Sequence, residues 1–323
     1  MKLPIIKSAI IAGGLALGAS SAYAGDALTV VSWGGAYTKS QIEAYHKPYT
    51  AKYGTKIQSE DYNGGLAEIR AQVEAGKITW DVVDLEVSDA ARGCDDGLFE
   101  KISAGSLPNG VNGALPSKDF IPGALQECAV GTIVWSTIYA YDADKYKSKK
   151  PTTISDFFDV KKFPGKRGMR KVPKVNLEWA LMADGVDGKD VYKVLATKAG
   201  QDRAFKKLDT IKNDVLWWEA GAQPPQMLAD GEVVMTSAYN GRIFNAAVTE
   251  KKNFEIVWDR QLFSFDLYAI IKGTPRLKEA LRYVQFSTAS EQLANQARWI
   301  SYGPTRKSSI KLISTHATAG IKM

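Results

Sequence analysis

The order of strand and helix patterns between Leu28 and Gly93 constrains this chain more than any other feature. The run Leu28–Ser32 is β-branched and reads as a strand. A helical pattern follows over 38–53, bent near Pro48. Residues 56–62 read as a second strand, and 64–76 as a helix with Leu66, Ile69 and Val73 on one face. "WDVVDLE", Trp80 to Glu86, reads as a buried strand, with a short helix after it over 87–93. This β-α-β-α-β order predicts an α/β fold with a parallel or mixed sheet and helices on both faces. Ligands of such sheets bind at the carboxyl ends of the strands, where Ser32, Trp33 and Glu86 lie.

"VVSWGGAYTKSQ" marks the first of those ends. Glycines there let the backbone turn tightly and leave room for a ligand. Trp33 and Tyr37 are then expected as one wall of a pocket. The competing reading makes Trp33 core and the glycines a plain turn.

The amino terminus places the chain. Lys2 and Lys7, a small apolar run over 9–19, and Ala22-Tyr23-Ala24 form a secretory signal peptide cut after Ala24. The apolar run is too short to span a bilayer. No cysteine sits near the cleavage site for lipid attachment, since the first is Cys94, so a free periplasmic protein is expected. The two cysteines of an exported chain predict a disulfide between Cys94 and Cys128. It closes a loop of about 35 residues, worth roughly 3–4 kcal/mol by loop entropy. The alternative is a pair of free buried thiols.

The formal charge is +7, or +5 without Lys2 and Lys7. The basic clusters at 145–150 and 161–170 read as solvated surface, and no nucleic-acid motif accompanies them. At 323 residues the chain is long for one core, which points to two lobes. The later segment begins with a long strand pattern over 131–142 that reads as a crossing between lobes. Helices are expected over 154–158, 176–183, 188–197 and 201–211. "DGEVVMTSAYNGRI" reads as a turn, a strand, and a helix opened by Asn240 and Gly241. Strands over 254–259 and 265–271 and helices over 276–287 and 291–298 complete the pattern. Catalytic chemistry has no evident carrier. His46 and His316, the two histidines, stand in no metal spacing, and no nucleophile motif occurs. A binding protein without enzyme activity, metal or cofactor is expected.

"WGGAY", "WDVVDLE", "FPGKRG", "WWEAGAQPPQML", "SAYNGR", "FDLYAI" and "SYGPT" appear in this order. The series resembles the extracellular solute-binding proteins of ABC importers, and within them the spermidine/putrescine-binding branch. The resemblance covers about residues 28–308. It implies a type-2 periplasmic binding protein fold, with two α/β lobes joined by crossing strands and a ligand cleft between them. Lobe 1 is expected over 25–138 plus 266–305, and lobe 2 over 139–265 plus 306–323. The partners implied are a small cationic or zwitterionic solute and an inner-membrane ABC permease, and a monomer is the family expectation. Members of the family continue beyond the "YGPT" segment with further helices, so the ending at Met323 reads as a truncated or frameshifted product.

The resemblance also implies a site. Asp266 in "FSFDLYAI" is the expected anchor for an amine, against a competing reading as a turn cap. Trp33, Tyr37 and Tyr302 match aromatic positions, and Glu86 stands where the family places ligand contacts. Trp135 reads equally as hinge core. Lobe 2 is expected to supply Trp218, Glu219 and Tyr239, with Asn240 beside it. Trp217, Trp218 and Glu219 are consecutive, so they cannot all face one way, and one tryptophan is expected in the core. Glu178 reads as a solvated helix residue. Carboxylates suit the ammonium groups of a polyamine, and aromatic faces suit its methylenes. Arg242 complicates that reading. If it faces the cleft it repels a dication and welcomes a carboxylate, which fits a zwitterion such as γ-aminobutyrate.

Overall fold

Strand pairing follows the expected order and joins it into one sheet. The computed structural model describes residues 27–323, so the signal peptide and its cleavage site lie outside the described residues. The strands are β1 (Leu28–Ser32), β2 (Ile57–Asp61), β3 (Val82–Glu86), β4 (Ala129–Asp142), β5 (Arg167–Arg170), β6 (Val215–Trp218), β7 (Met235–Tyr239), β8 (Phe254–Ile270) and β9 (Gly303–Pro304). They form a mixed sheet in the order β2-β1-β3-β8-β4-β7-β5-β6, with β9 on β4. β1 is parallel to β2 and β3, and β5 is parallel to β6 and β7. β8 runs antiparallel to both β3 and β4.

Two long strands tie the halves together. β4 has 14 residues and β8 has 17, and they pair along nearly their whole length. The sequence pattern predicts two separate strands where β8 runs unbroken. Its polar middle, Asp259-Arg260-Gln261, reads as a loop. In the structure that stretch is taken up as a bulge: the partner of β4 jumps from Val257 to Leu262, with Arg260 at φ 55°.

Alternation along the strands builds four cores. Val30 and Val82 face one side with Tyr45, Tyr268 and Tyr283. Val31, Val83 and Leu85 face the other with Ile69 and Phe99. Both faces are covered, which is why β1 and β3 are buried throughout. In the second lobe Tyr139 and Tyr141 pack with Phe157 and Trp179, while Ile138 and Ala140 pack with Trp218 and Leu228. A fifth cluster gathers Tyr37, Ile133, Trp135, Ile300 and Tyr302, and Tyr239 of the second lobe packs against it.

The first helix begins at Gly35, three residues before its sequence pattern, and runs to Tyr53. Its expected bend is a π turn over Ile42–His46, just ahead of Pro48. Proline lacks the N–H and crowds the carbonyl four residues back, and a widened turn accommodates it. β5 and β6 escape the sequence pattern because each has only four residues, and β5 lies between Lys166 and Lys171 in a basic stretch. Cys94 and Cys128 form a disulfide.

Beyond the expected boundary at 305/306 the chain makes contacts on both sides of the cleft. Arg306 is fully buried, pairs with Asp119 at 3.0 Å and bridges to Phe120, while Ser308 hydrogen-bonds the same carboxylate. A buried guanidinium needs a buried acid, and lobe 1 supplies it. Farther on, His316 packs against Phe244 of the second lobe.

Candidate functional site

The carboxyl ends of β1 and β3 open into a cleft between the lobes. After β1 the chain turns through Gly34 at φ 73° and Gly35 at φ 59°. A side chain is strained in that left-handed region. A Cβ on Gly35 would also stand 3.0 Å from the Arg242 guanidinium of the facing lobe. Arg242 uses that closeness: Nη1 donates to the Gly34 carbonyl and Nη2 to the Trp33 carbonyl, each at 2.9 Å. The two glycines thus let one lobe's backbone touch the other lobe's arginine. At the end of β3, Glu86 sits directly opposite Asp266 of β8.

These groups line a pocket with about 360 Å³ of empty space, part of it open to solvent. Its aromatic wall is Trp33, Tyr37, Trp135, Tyr239 and Tyr302. Tyr37 meets Tyr302 edge-on with ring centroids 5.6 Å apart, and Trp135 meets Tyr239 edge-on at 4.9 Å. Such faces suit methylene chains and cations.

The charges divide into a paired set and an unpaired set. Glu86 accepts from Arg170 Nη1 at 2.6 Å and from Lys174 Nζ at 2.8 Å, both on the second lobe. Burial pushes its carboxyl up, but the two cations outweigh burial and hold it below the usual value. Asp266 is 5 % exposed and accepts one hydrogen bond, from Trp135 Nε1 at 2.7 Å. Burial, then the charges of Asp84 and Glu86, drive its carboxyl well above the ordinary range; Trp135 and Arg242 only oppose this. Behind the wall, Asp84 receives the Tyr37 hydroxyl and the Gln41 amide, and burial raises it to about 7. Arg242 is 4 % exposed, its Nε has no partner, and among the described residues no carboxylate lies within ion-pair distance.

The structure brings together Trp33, Tyr37, Glu86, Tyr239, Arg242, Asp266 and Tyr302 around one cavity. Trp218 lies behind that wall, 5.9 Å from Tyr239, and is buried in the second lobe's core. Trp217 alternates to the outside. Glu219 does not reach the cavity: it is exposed and pairs with Lys171, because the chain leaves β6 at Trp218 and turns toward solvent. Glu178, expected in solvent, is half-buried beside the cleft, and burial raises its carboxyl. Asn240 is a structural clamp between Ser136 and Ser301.

Sequence reasoning missed Arg170, Lys174 and Asp84. Arg170 was hidden in a basic cluster read as surface, although it ends a parallel strand on the cleft side. An acid in the otherwise apolar core of "WDVVDLE" was the available signal for Asp84. Among the described residues, no group of His, Cys, Asp and Glu side chains is placed to hold a metal.

A family model described as "Bacterial extracellular solute-binding protein" matches residues 44–322. The chain is 44% identical over 300 residues to the gamma-aminobutyric acid-binding protein of Pseudomonas aeruginosa, covering 93% of this chain and 83% of that protein. Among solved structures, the PBP MotA from A. tumefaciens B6 in complex with glucopine superposes with a TM-score of 0.82 at 29% identity, covering 89% of this chain and 86% of that one. A GABA receptor superposes with a TM-score of 0.75 at 32% identity, covering 90% and 86%.

Proposed function

Because this chain belongs to the bacterial extracellular solute-binding proteins of ABC importers, we propose that its solute is a small zwitterion with an amine at one end and a carboxylate at the other. γ-Aminobutyrate is the reference compound. The family is one of binding proteins rather than enzymes, and its partners are a small molecule and a membrane permease.

The observation that carries this reading is the unpaired set. One cavity holds a buried acid without a cation and a buried guanidinium without an acid. Leaving either charge uncompensated away from water is costly. A zwitterion answers both at once, with its ammonium on Asp266, its carboxylate on Arg242, and its methylenes against the aromatic wall. The relatives that bind γ-aminobutyrate by name support the same choice.

The polyamine reading is the weaker one. A dication fits Asp266 but meets Arg242, and its second ammonium would need Glu86, which Arg170 and Lys174 already occupy. The solute acts by lobe closure: it selects the closed state because only there are both charges met. The lobe divisions near 138/139 and 265/266 belong to this proposal and put the hinge in the paired middle of β4 and β8. The closed protein then delivers its solute from the periplasm to the permease.

Calorimetric titration of residues 25–323 with γ-aminobutyrate, putrescine and spermidine tests the reading. Micromolar binding of γ-aminobutyrate is expected, about −8 kcal/mol. Binding of either polyamine with no response to γ-aminobutyrate would overturn it.

A further inference from the structure

Outside the inner cavity lies a second one, with about 990 Å³ of empty space that includes open solvent. Val87 and Ser88 of the first lobe and Asn176, Glu178, Leu262 and Phe263 of the second are among the residues that border it. The two cavities share Glu86, Trp135, Arg170 and Tyr239, so these side chains form the partition between them. Half of the partition is aromatic and fixed. Trp135 is held by its hydrogen bond to Asp266 and by the edge-on contact with Tyr239, which in turn rests on Trp218. The other half is ionic and crosses from lobe to lobe: Glu86 of β3 holds Arg170 of β5. The Arg170 side chain is 15 % exposed, and its guanidinium stands over the Trp33 ring, 5.7 Å from the centroid.

We propose that Arg170, held across the cleft by Glu86, is a length gate: it closes the inner cavity behind a short ω-amino acid and rejects chains whose far end must reach the outer cavity. The proposal rests on the zwitterion reading for its ligand class. A solute too long for the inner cavity must push the guanidinium off Glu86 and off Trp33. That breaks a charge-assisted contact in a largely dry place, and nothing on the solute's methylenes replaces it. Selectivity is therefore set by a partner of the wall as well as by the two anchors. The gate is removable in principle, because Glu86 keeps Lys174 at 2.8 Å when Arg170 is gone.

The test uses the wild-type protein and Arg170→Ala. Each is titrated with γ-aminobutyrate, δ-aminovalerate and ε-aminocaproate, and with the diamines putrescine and cadaverine. The series that the wild type prefers tests the zwitterion reading. Within that preferred series, the ratio of affinities for the longest and shortest chains tests the gate. The wild type is expected to disfavour the longest chain by roughly tenfold or more, the scale on which pockets discriminate methylenes. In Arg170→Ala the ratio should move toward unity, even if every affinity weakens through the lost interlobe contact. An unchanged ratio overturns the gate, and so does a wild type that binds the longest chain as tightly as the shortest. Arg170→Gln keeps most of the bulk and a donor for Glu86. It should give an intermediate ratio, and it carries the test if the alanine variant fails to fold.

Discussion

The two lobes face each other with opposite charge. Lobe 1 brings acids to the cleft, Glu86 and Asp266 at facing positions of β3 and β8, with Asp84 behind. Lobe 2 brings bases, Arg170, Lys174 and Arg242. The walls do not cancel completely. Glu86 is consumed by Arg170 and Lys174, whereas Asp266 and Arg242 are left without partners of opposite charge. The lesson of the comparison is that closure and recognition use different members of the same charge set. The paired members join the lobes, and the remainder is what the proposed zwitterion would answer.

The comparison breaks most severely at Arg242. Arg242→Met should abolish measurable binding of γ-aminobutyrate, because it removes the carboxylate anchor and two hydrogen bonds that join the lobes. A calorimetric loss of at least roughly 2–5 kcal/mol is expected, the range for truncating one partner of a buried charge pair. Asp266→Asn strikes the acid wall and should cost a similar or slightly smaller amount. It should leave thermal stability intact or raised, since it relieves a buried carboxyl that has no cation partner.

Acid should act on one wall only. Asp266 holds its proton unusually tightly in the free protein, and an arriving ammonium requires it ionised. Binding therefore releases a proton, and affinity falls as pH drops below that raised value, by up to about tenfold per pH unit. Titrations at successively lower pH should show this fall in the wild type and not in Asp266→Asn.

Asp84→Asn separates stability from recognition. The folded-state value of about 7 lies above that of an exposed Asp, so native Asp84 keeps its proton where the unfolded chain has lost it. Its contribution to stability therefore declines as pH rises from about 4 to 7. An amide avoids that loss and still accepts from Tyr37 and Gln41. The variant should be roughly 2 kcal/mol more stable than wild type near pH 8 and show less gain near pH 5, read by denaturant unfolding. The smallest effect belongs to Glu219→Ala, whose exposed pair with Lys171 should matter by less than about 0.5 kcal/mol for stability and not at all for affinity.

Much of lobe 1 was legible because β1 and β3 are covered on both faces and read as unbroken apolar runs. The continuity of β8 was not, because its bulge carries polar residues that look like a loop. Trp33, Tyr37 and Glu86 were legible from their places at strand ends, and Asp266, Tyr239 and Tyr302 from the resemblance to solute-binding proteins, whereas Asp84 was not. The cations were not. Arg170 and Lys174 lie 84 and 88 residues from Glu86, and only the tertiary fold brings them to it. Whether Arg242 met the cleft or solvent depended on how closely Gly34 and Gly35 let the lobes approach, and that is a property of the packed structure.

The most direct test of the central claim is a crystal structure of residues 25–323 grown with γ-aminobutyrate. The expected result is a closed protein with the solute's ammonium on Asp266, its carboxylate on Arg242, and Glu86 still paired with Arg170. A solute held with its ends reversed, or lodged in the outer cavity with Asp266 and Arg242 untouched, would contradict it.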